Sequence, residues 1–323
     1  MTIRPVVPPP SDTEVEAWLA VLTAASTTDL PGLPAPSRVE VAGRLRVPPA
    51  RGRHAFWTTD DGDGVAGLLL FTDEGNTHTA FLDVLAVRPE ARRRGVGTAL
   101  WERVRAELLA RERTSVSALV DLGGPGQAFA ESLGFENVLR MAWYVQDVAR
   151  DAADPATSRI PATPGYELMC WPGIVPDAWA QAVAVAHGAM DDAPGGDMDE
   201  QTMTWTAERV RAAQRLVLER GGELTMVAAV TPAGEVAAYT VLVRTDPAGP
   251  RALQYDTAVV SAHRGHGLGR AVKLRMLAEV AARHPDLREI GTTVADENGP
   301  MRAVNESLGY RWERGVGIFQ RKL

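Results

Sequence analysis

A strand, a basic glycine turn and a long helix are written twice in this chain, in the same order. FLDVLAVRPEARRRGVGTALWERVRAELLA, residues 81–110, is matched 172 residues later by LQYDTAVVSAHRGHGLGRAVKLRMLAEVAA, residues 253–282. A second landmark follows each copy: ESLGF ends at Phe135 and ESLGY at Tyr310, an offset of 175 residues. Two landmarks in one order and at nearly one offset indicate a duplicated fold rather than two chance glycine turns. A strand feeding a helix at each turn calls for a parallel neighbour, whereas the apolar runs 225–230 and 235–243 around PAGE read as an antiparallel hairpin. Each half is therefore expected to be a mixed α/β (α+β) domain, a central mixed sheet with flanking helices.

Length agrees, because 323 residues suit about two domains of roughly 150 residues each. The expected boundaries are 1–149 for the first domain, 150–163 for a small, polar, proline-bearing linker and 164–323 for the second. Periodicity places helices at 11–25, 96–110 and 126–133 in the first half, with strands at 66–71, 79–87, 115–120 and 139–145. In the second half it places helices at 177–190, 207–219 and 269–282 and one more short helix after 294. Strands fall at 166–170, 225–230, 235–243, 253–260, 290–294 and 318–323.

Composition narrows the classes. With 45% hydrophobic and 23% charged residues the chain can bury real cores, which excludes a largely disordered protein. A net charge of −7 argues against a general nucleic-acid binder. Cys170 is the single cysteine, so an intrachain disulfide and a multi-cysteine metal site are both excluded. Neither an apolar signal core nor a twenty-residue apolar span is visible, so no membrane partner and a cytoplasmic location are expected.

The turns carry the chemistry. Gly265, Gly267 and Gly269 alternate at the start of a helix, and glycine permits positive φ and close backbone approach. Backbone N–H groups at such a helix start can surround phosphate oxygens, and the helix dipole favours the negative charge. Arg264 and His266 could support that site, and Arg92, Gly95, Val96 and Gly97 make the corresponding arrangement in the first half. A tight strand-to-helix turn with solvated basic residues is the competing reading. The spacing is neither GxGxxG nor GxxxxGK[ST], so no dinucleotide or triphosphate fingerprint is present. His263 and His266 lack further ligands at metal spacing, and no metal is expected.

VRPEARRRGVG and VSAHRGHGLG resemble the acetyl-coenzyme A loops of GCN5-related N-acetyltransferases. That pattern, an Arg or Gln, two variable residues, Gly, one variable residue, then Gly or Ala, is met by residues 92–97 and by Arg264, Gly265, His266, Gly267, Leu268 and Gly269. The second half also resembles the carboxy-terminal domain of actinobacterial tandem acetyltransferases, through DAP at 192–194, QYDT at 254–257, HRGHGLG at 263–269 and NGPMRAVNESLGY at 298–310. The resemblance implies a tandem duplication of the acyl-CoA N-acyltransferase fold. It implies acetyl-coenzyme A, or another short acyl-coenzyme A, as donor, and an amine acceptor, a small molecule first and a protein amine second. Backbone around Val87, and around Val259 and Val260, would receive the pantetheine arm.

Acyl transfer to an amine needs a base, an oxyanion donor and help for the departing thiolate. Asp256 is the candidate base, on the strand that feeds the second loop. Simple alternation puts Gln254 on its face, where it could orient the acceptor. A hydrogen-bonded strand pair is the alternative for both, and Asp83 is the weaker counterpart in the apolar FLDVLA. Asp191 and Asp192 could face a cationic acceptor or simply end a helix. Asn298 could bond the coenzyme's arm or cap the helix MRAVNESL. Many relatives carry a tyrosine as the thiol's acid four residues before the glycine of LGF; here Ala130 and Asn305 stand there, and Val294 replaces an asparagine. Catalysis is expected in the second half. A coenzyme-binding sensor or scaffold is the alternative, and a homodimer is left open.

Overall fold

The chain, described over residues 1–323 by a computed structural model, divides into two units that each draw on separated stretches of sequence. The first unit comprises Met1–Arg140, Gly195–Gln201 and Gly315–Leu323; the second comprises Met141–Pro194 and Thr202–Arg314.

In the first unit the elements are β1 (Ile3–Val6), α1 (Asp12–Asp29), α2 (Arg38–Arg46), β2 (Gly52–Thr59), β3 (Gly64–Phe71), β4 (Ala80–Val87), α3 (Val96–Ala110), β5 (Ser115–Asp121) and α4 (Pro125–Ser132). Reciprocal capping boxes, Ser11 with Glu14 and Ser37 with Glu40, start α1 and α2. Strand alternation sorts the core into two layers. Trp57, Ala66, Leu68 and Leu70 pack with Leu100, Trp101 and Val104 of α3, while Phe56 and Val65 pack with Trp18 of α1 and Leu45 of α2.

β6 (Glu136–Asp147) leads out of the first unit. The second holds α5 (Val148–Ala153), α6 (Pro155–Ser158), β7 (Glu167–Pro172), α7 (Asp177–His187), α8 (Ala207–Glu219), β8 (Glu223–Val230), β9 (Val236–Arg244), β10 (Arg251–Val259), α9 (Leu268–Arg283), β11 (Glu289–Ala295) and α10 (Gly299–Ser307), after which β12 (Arg311–Lys322) closes the chain. Again helices cover both faces. α9 packs Leu268, Val272 and Met276 on one, and α7 packs Val183 and Ala184 against Met226 and Tyr239 on the other.

The sheets are mixed, as expected. β4 and β5 run parallel in the first unit and β10 and β11 in the second, and the other paired strands within each unit run antiparallel. The last strand of each sequence repeat, however, completes the sheet of the other unit. Residues 316–322 of β12 pair with β5, from Val316↔Asp121 to Lys322↔Ser115. Residues 141–147 of β6 pair with β11, from Met141↔Ala295 to Asp147↔Glu289. Boundaries at 149 and 164 therefore differ from the units observed. Residues 150–163 belong to the second unit and carry the end of α5 and all of α6. They are tied down by the Asp147 cap on Arg150 N, by buried Asp151 and Thr157, and by Arg270 donating to Ala156 O at 2.7 Å. β1, α2 and β2 were not visible in the periodicity, because Pro5 interrupts the first, Gly43 sits among charges in the second and GRHAFWTT alternates poorly in the third.

Phe319 of β12 is buried at 1% exposure within the first unit's core. Phe319→Ala should lower stability by about 3–5 kcal/mol in denaturant unfolding. A loss no larger than that of an exposed-site substitution would contradict this account of the first sheet.

Candidate functional site

Each parallel pair lets go early. β4 and β5 share the single partnership Phe81↔Ser117, and β10 meets β11 only over Arg251–Leu253 with Glu289–Gly291. Past those residues one edge of β4, and one of β10, is left unpaired and leads to the glycine turn.

The two turns share one geometry. A short 3₁₀ turn, Pro89–Ala91 or Ser261–His263, ends at an arginine with extended backbone, Arg92 or Arg264. The next residue has left-handed φ, +62° at Arg93 and +85° at Gly265. Gly95 and Gly267, at φ +83° and +72°, then form the N-caps of α3 and α9, and neither helix start has a side-chain cap. An added Cβ at Gly95, Gly265 or Gly267 would meet nothing within 4 Å. Val96 and Leu268 bury their side chains, so the loops offer backbone amides there. Gly97 allows α3 to approach Phe129, whose ring would lie 3.2 Å from an added Cβ, and Gly269 lies against Val259.

The arginines turn back on their own strands. Arg92 Nε donates to Val87 O at 3.2 Å, and its guanidinium grips Asp29 through two bonds of 2.6 and 2.8 Å. Arg264 Nε donates to Val259 O at 3.3 Å and pairs with Asp192. His266 Nδ1 donates to the carbonyls of His263 and Arg264, bracing the turn from within. Val260 N is bonded to Ala237 O at 2.9 Å.

Asp256 lies in a β-bulge. Gln254 pairs with Leu242 and Thr257 with Thr240, so Tyr255 and Asp256 together face one residue of β9. The bulge overturns the alternation expected for Gln254 and Asp256. Gln254 shares its face with Thr240 and donates to it at 2.7 Å. Asp256 turns to the opposite side, where its Oδ2 lies 3.9 Å from His187 Nδ1. In the first unit a register shift likewise makes Asp83 the extra residue of β4, but Arg44 lies 3.4 Å from its carboxylate.

His187 ends α7 and is buried. The Tyr239 hydroxyl donates to its Nδ1 at 2.8 Å, and Trp205 stacks on the ring with centroids 4.3 Å apart and planes inclined by 22°. Burial lowers the imidazole pKa to about 4, so the ring is neutral at pH 7. With Nδ1 accepting from Tyr239, its proton sits on Nε2, and the 3.9 Å approach to Asp256 is not a salt bridge. Tyr239 stays protonated, its pKa raised by burial and by the charge of Asp256. Asp256 is pushed up to about 6 by burial, although 37% of its side chain reaches solvent, because its surroundings wall off the rest.

The other expected residues are placed plainly. Asp191 is exposed, and Asp192 is engaged by Arg264. Asn298 Oδ1 accepts from Met301 N at 3.2 Å and so caps α10. No cluster of His, Cys, Asp or Glu is arranged to hold a metal ion, and no helix is long and apolar enough to cross a membrane.

Comparison with known proteins resolves what such a duplicated turn belongs to. The sequence pattern of the acetyltransferase (GNAT) family matches residues 27–135 and 193–310. The chain belongs to the acetyltransferase (GNAT) family. Its structure is similar to that of a tandem GNAT protein from the clavulanic acid biosynthesis pathway, at 30% identity and a TM-score of 0.82, over 99% of this chain and 98% of that one. A GCN5-related N-acetyltransferase from Sphaerobacter thermophilus shares the fold at 16% identity and a TM-score of 0.69, over 99% and 95% of the two chains. So does a putative acetyltransferase from Pyrococcus horikoshii, at 14% and 0.60, over 100% and 89%. No curated protein matches the chain.

This GNAT chain is thus a tandem acetyltransferase that takes its acyl group from an acyl-coenzyme A. Its residues fit such a donor, with uncapped helix starts and open space beside the left-handed glycines for the phosphates, and an unpaired strand edge for an amide-bearing arm. Sequence reasoning missed His187, Trp205 and Tyr239, which lie on three separate elements or loops and carry no shared spacing.

The titrations of His187 and Asp256 oppose one another. His187 binds a proton near pH 6.5 when unfolded and near 4 when folded, so its contribution is present above 6.5 and lost as pH falls through 4. Asp256 goes from 3.8 to about 6 on folding, so its contribution is present below 3.8 and lost as pH rises through 6. Asp256→Asn removes the second term alone. Stability of this variant should therefore fall more steeply than wild type between pH 6.5 and 4 in denaturant titrations; parallel slopes would refute the assignment.

Proposed function

We propose that the second unit transfers an acetyl group from acetyl-coenzyme A to the primary amine of a small molecule. The thioester supplies an activated acyl carbon when bound. Residues 264–269 would hold its phosphates through backbone amides, and Val259 and Val260 would offer strand edge to its arm. The bulge at Asp256 leaves part of the β10 backbone outside the β9 ladder, which provides amide donors for a developing oxyanion.

One observation carries the reading: Asp256 is a partly solvated carboxyl with pKa about 6, set in the bulge of the opened strand. At neutral pH it is ionised and can accept a proton. An acceptor ammonium, with an ordinary pKa near 10.4, must give one up before attack. Neutral His187, with Tyr239 and Trp205, walls the carboxylate on one side and adds no competing positive charge. The exposed carboxylate of Asp191 favours a cationic acceptor. A small-molecule acceptor is supported by the similarity to a tandem GNAT protein of the clavulanic acid pathway.

The first unit is read as binding coenzyme without turnover. Its loop has the same backbone, yet Arg44 neutralises Asp83 and Ala130 offers no polar group.

The test is coenzyme release from acetyl-coenzyme A with a panel of small amines and peptides. Acceptor-dependent release should survive Gly95→Val and disappear in Gly267→Val, which forces a β-branched residue into left-handed φ. Asp256→Asn should lower kcat/KM by about 10²-fold and abolish the acidic limb near pH 6. Release that persists in Gly267→Val, or no amine-dependent release from a protein that binds the coenzyme, would sink the proposal.

A further inference from the structure

A second group of buried polar side chains lies at the closed end of the β10/β11 opening. Leu253↔Gly291 is the last parallel pair, and Gln254 follows it directly. Thr292 Oγ1 donates to Gln254 O at 3.0 Å, Gln254 Nε2 donates to Thr240 Oγ1 at 2.7 Å, and the Tyr310 hydroxyl donates to Gln254 Oε1. Lys273 Nζ sits 4.4 Å from the centre of the Tyr310 ring and donates to Asn305 Oδ1 at 2.6 Å. Asn305 is 0% exposed, and its Nδ2 has no hydrogen-bond partner.

That orphan is informative. Leaving a buried amide donor unmet costs about 1–3 kcal/mol, and folds rarely keep one without use. Flipping the amide is no remedy, because lysine only donates and must face Oδ1. The hydroxyls nearby are already engaged, Tyr310 and Thr292 with Gln254 and Tyr239 with His187. Among the amides and hydroxyls of this group, Asn305 Nδ2 is the donor left over. Burial also pulls Lys273 down to a pKa of about 7, so a lysine kept there is a poor choice for packing alone. Aligning FAESLGF with VNESLGY puts Ala130 opposite Asn305, so the first unit has no such donor.

We infer that Asn305 Nδ2, clamped in orientation by Lys273, donates the hydrogen bond that receives the coenzyme's sulfur in the second unit. The inference rests on the acyl-transfer reading above. In that reaction the amine nitrogen bonds to the acyl carbon, the carbon–sulfur bond breaks with its electron pair left on sulfur, and the amine's proton passes to Asp256. Asn305 supplies a hydrogen bond and no proton, so the sulfur leaves as a thiolate. Lys273 is a positioning residue: it fixes which end of the amide is presented, and its charge polarises that amide.

The experiment compares coenzyme A with desulfo-coenzyme A, in which hydrogen replaces the thiol, by calorimetric titration of the full chain at pH 8.5. The second-unit site is the one lost in Gly267→Val. Wild type should prefer coenzyme A there by about tenfold or more, and Asn305→Ala should bring the ratio to about one while affinity for the desulfo compound changes less than about twofold. Lys273→Met should shrink the preference. Should Asn305→Ala fail to fold, the double variant Lys273→Met/Asn305→Leu, which replaces the polar pair by apolar groups of similar size, decides the matter. Equal affinities in wild type, or a preference that survives either Asn305 replacement, would overturn the inference and leave turnover untouched. A second-unit site that binds neither compound would overturn the acyl-transfer reading and this inference together.

Discussion

Everything at the second site depends on β10 parting from β11 after three paired residues. A parallel pair that continued would satisfy the backbone of Gln254 and its successors and leave no edge for a ligand. The closed end is pinned instead. Arg251 bonds Glu289 through Nε and Nη2 at 3.1 and 2.7 Å and Glu313 at 2.5 Å, with only 14% of its side chain exposed. Thr292 then stitches its hydroxyl to Gln254 O just past the last pair. A buried ion cluster contributes less to stability than to fixing one arrangement. Here it holds the register at the vertex while the strands open beyond it, and the bulge at Tyr255 and Asp256 turns that opening into a place for a carboxylate.

The two units show what duplication conserves and what it lets drift. The strand-to-helix turn needs left-handed backbone at two positions, and the chain meets the first with Gly265 in one copy and Arg93 in the other. That Arg93 tolerates φ +62° shows the loop shape to be imposed by its surroundings rather than by glycine alone. The bulges have diverged further. One carries a carboxylate walled by neutral aromatic and imidazole groups, the other a carboxylate beside a guanidinium. One architecture therefore serves two electrostatic environments.

Legibility in the sequence followed locality. Residues 96–110 and 207–219 were readable as helices to their ends, and the glycine turns were readable because backbone conformation leaves its mark on adjacent residue types. Gln254 and Asp256 were readable as strand residues, but the phase of their side chains was not, since one bulged residue reverses it. His187, Trp205 and Tyr239 come together by tertiary packing, with no motif to announce them. The exchanged final strands were equally hidden. β6 and β12 read as closing strands of their own halves, and nothing in their alternation states which sheet they join.

The loop arginine repays a closer reading of its hydrogen bonds. In both copies Nε reaches back to the carbonyl of the strand's last valine, and the guanidinium is held by an aspartate from outside the turn. A residue so engaged shapes the loop before any phosphate arrives. The arrangement also explains why the motif admits Arg or Gln at that position: both present a side-chain N–H donor to a backbone carbonyl, although only one is charged. Phosphate recognition then falls on the uncapped amides at the starts of α3 and α9, which need no rearrangement to bind an anion. Preorganisation of this kind lowers the ordering cost of binding, so the loop's affinity comes from backbone already in place rather than from a guanidinium that must first leave its aspartate.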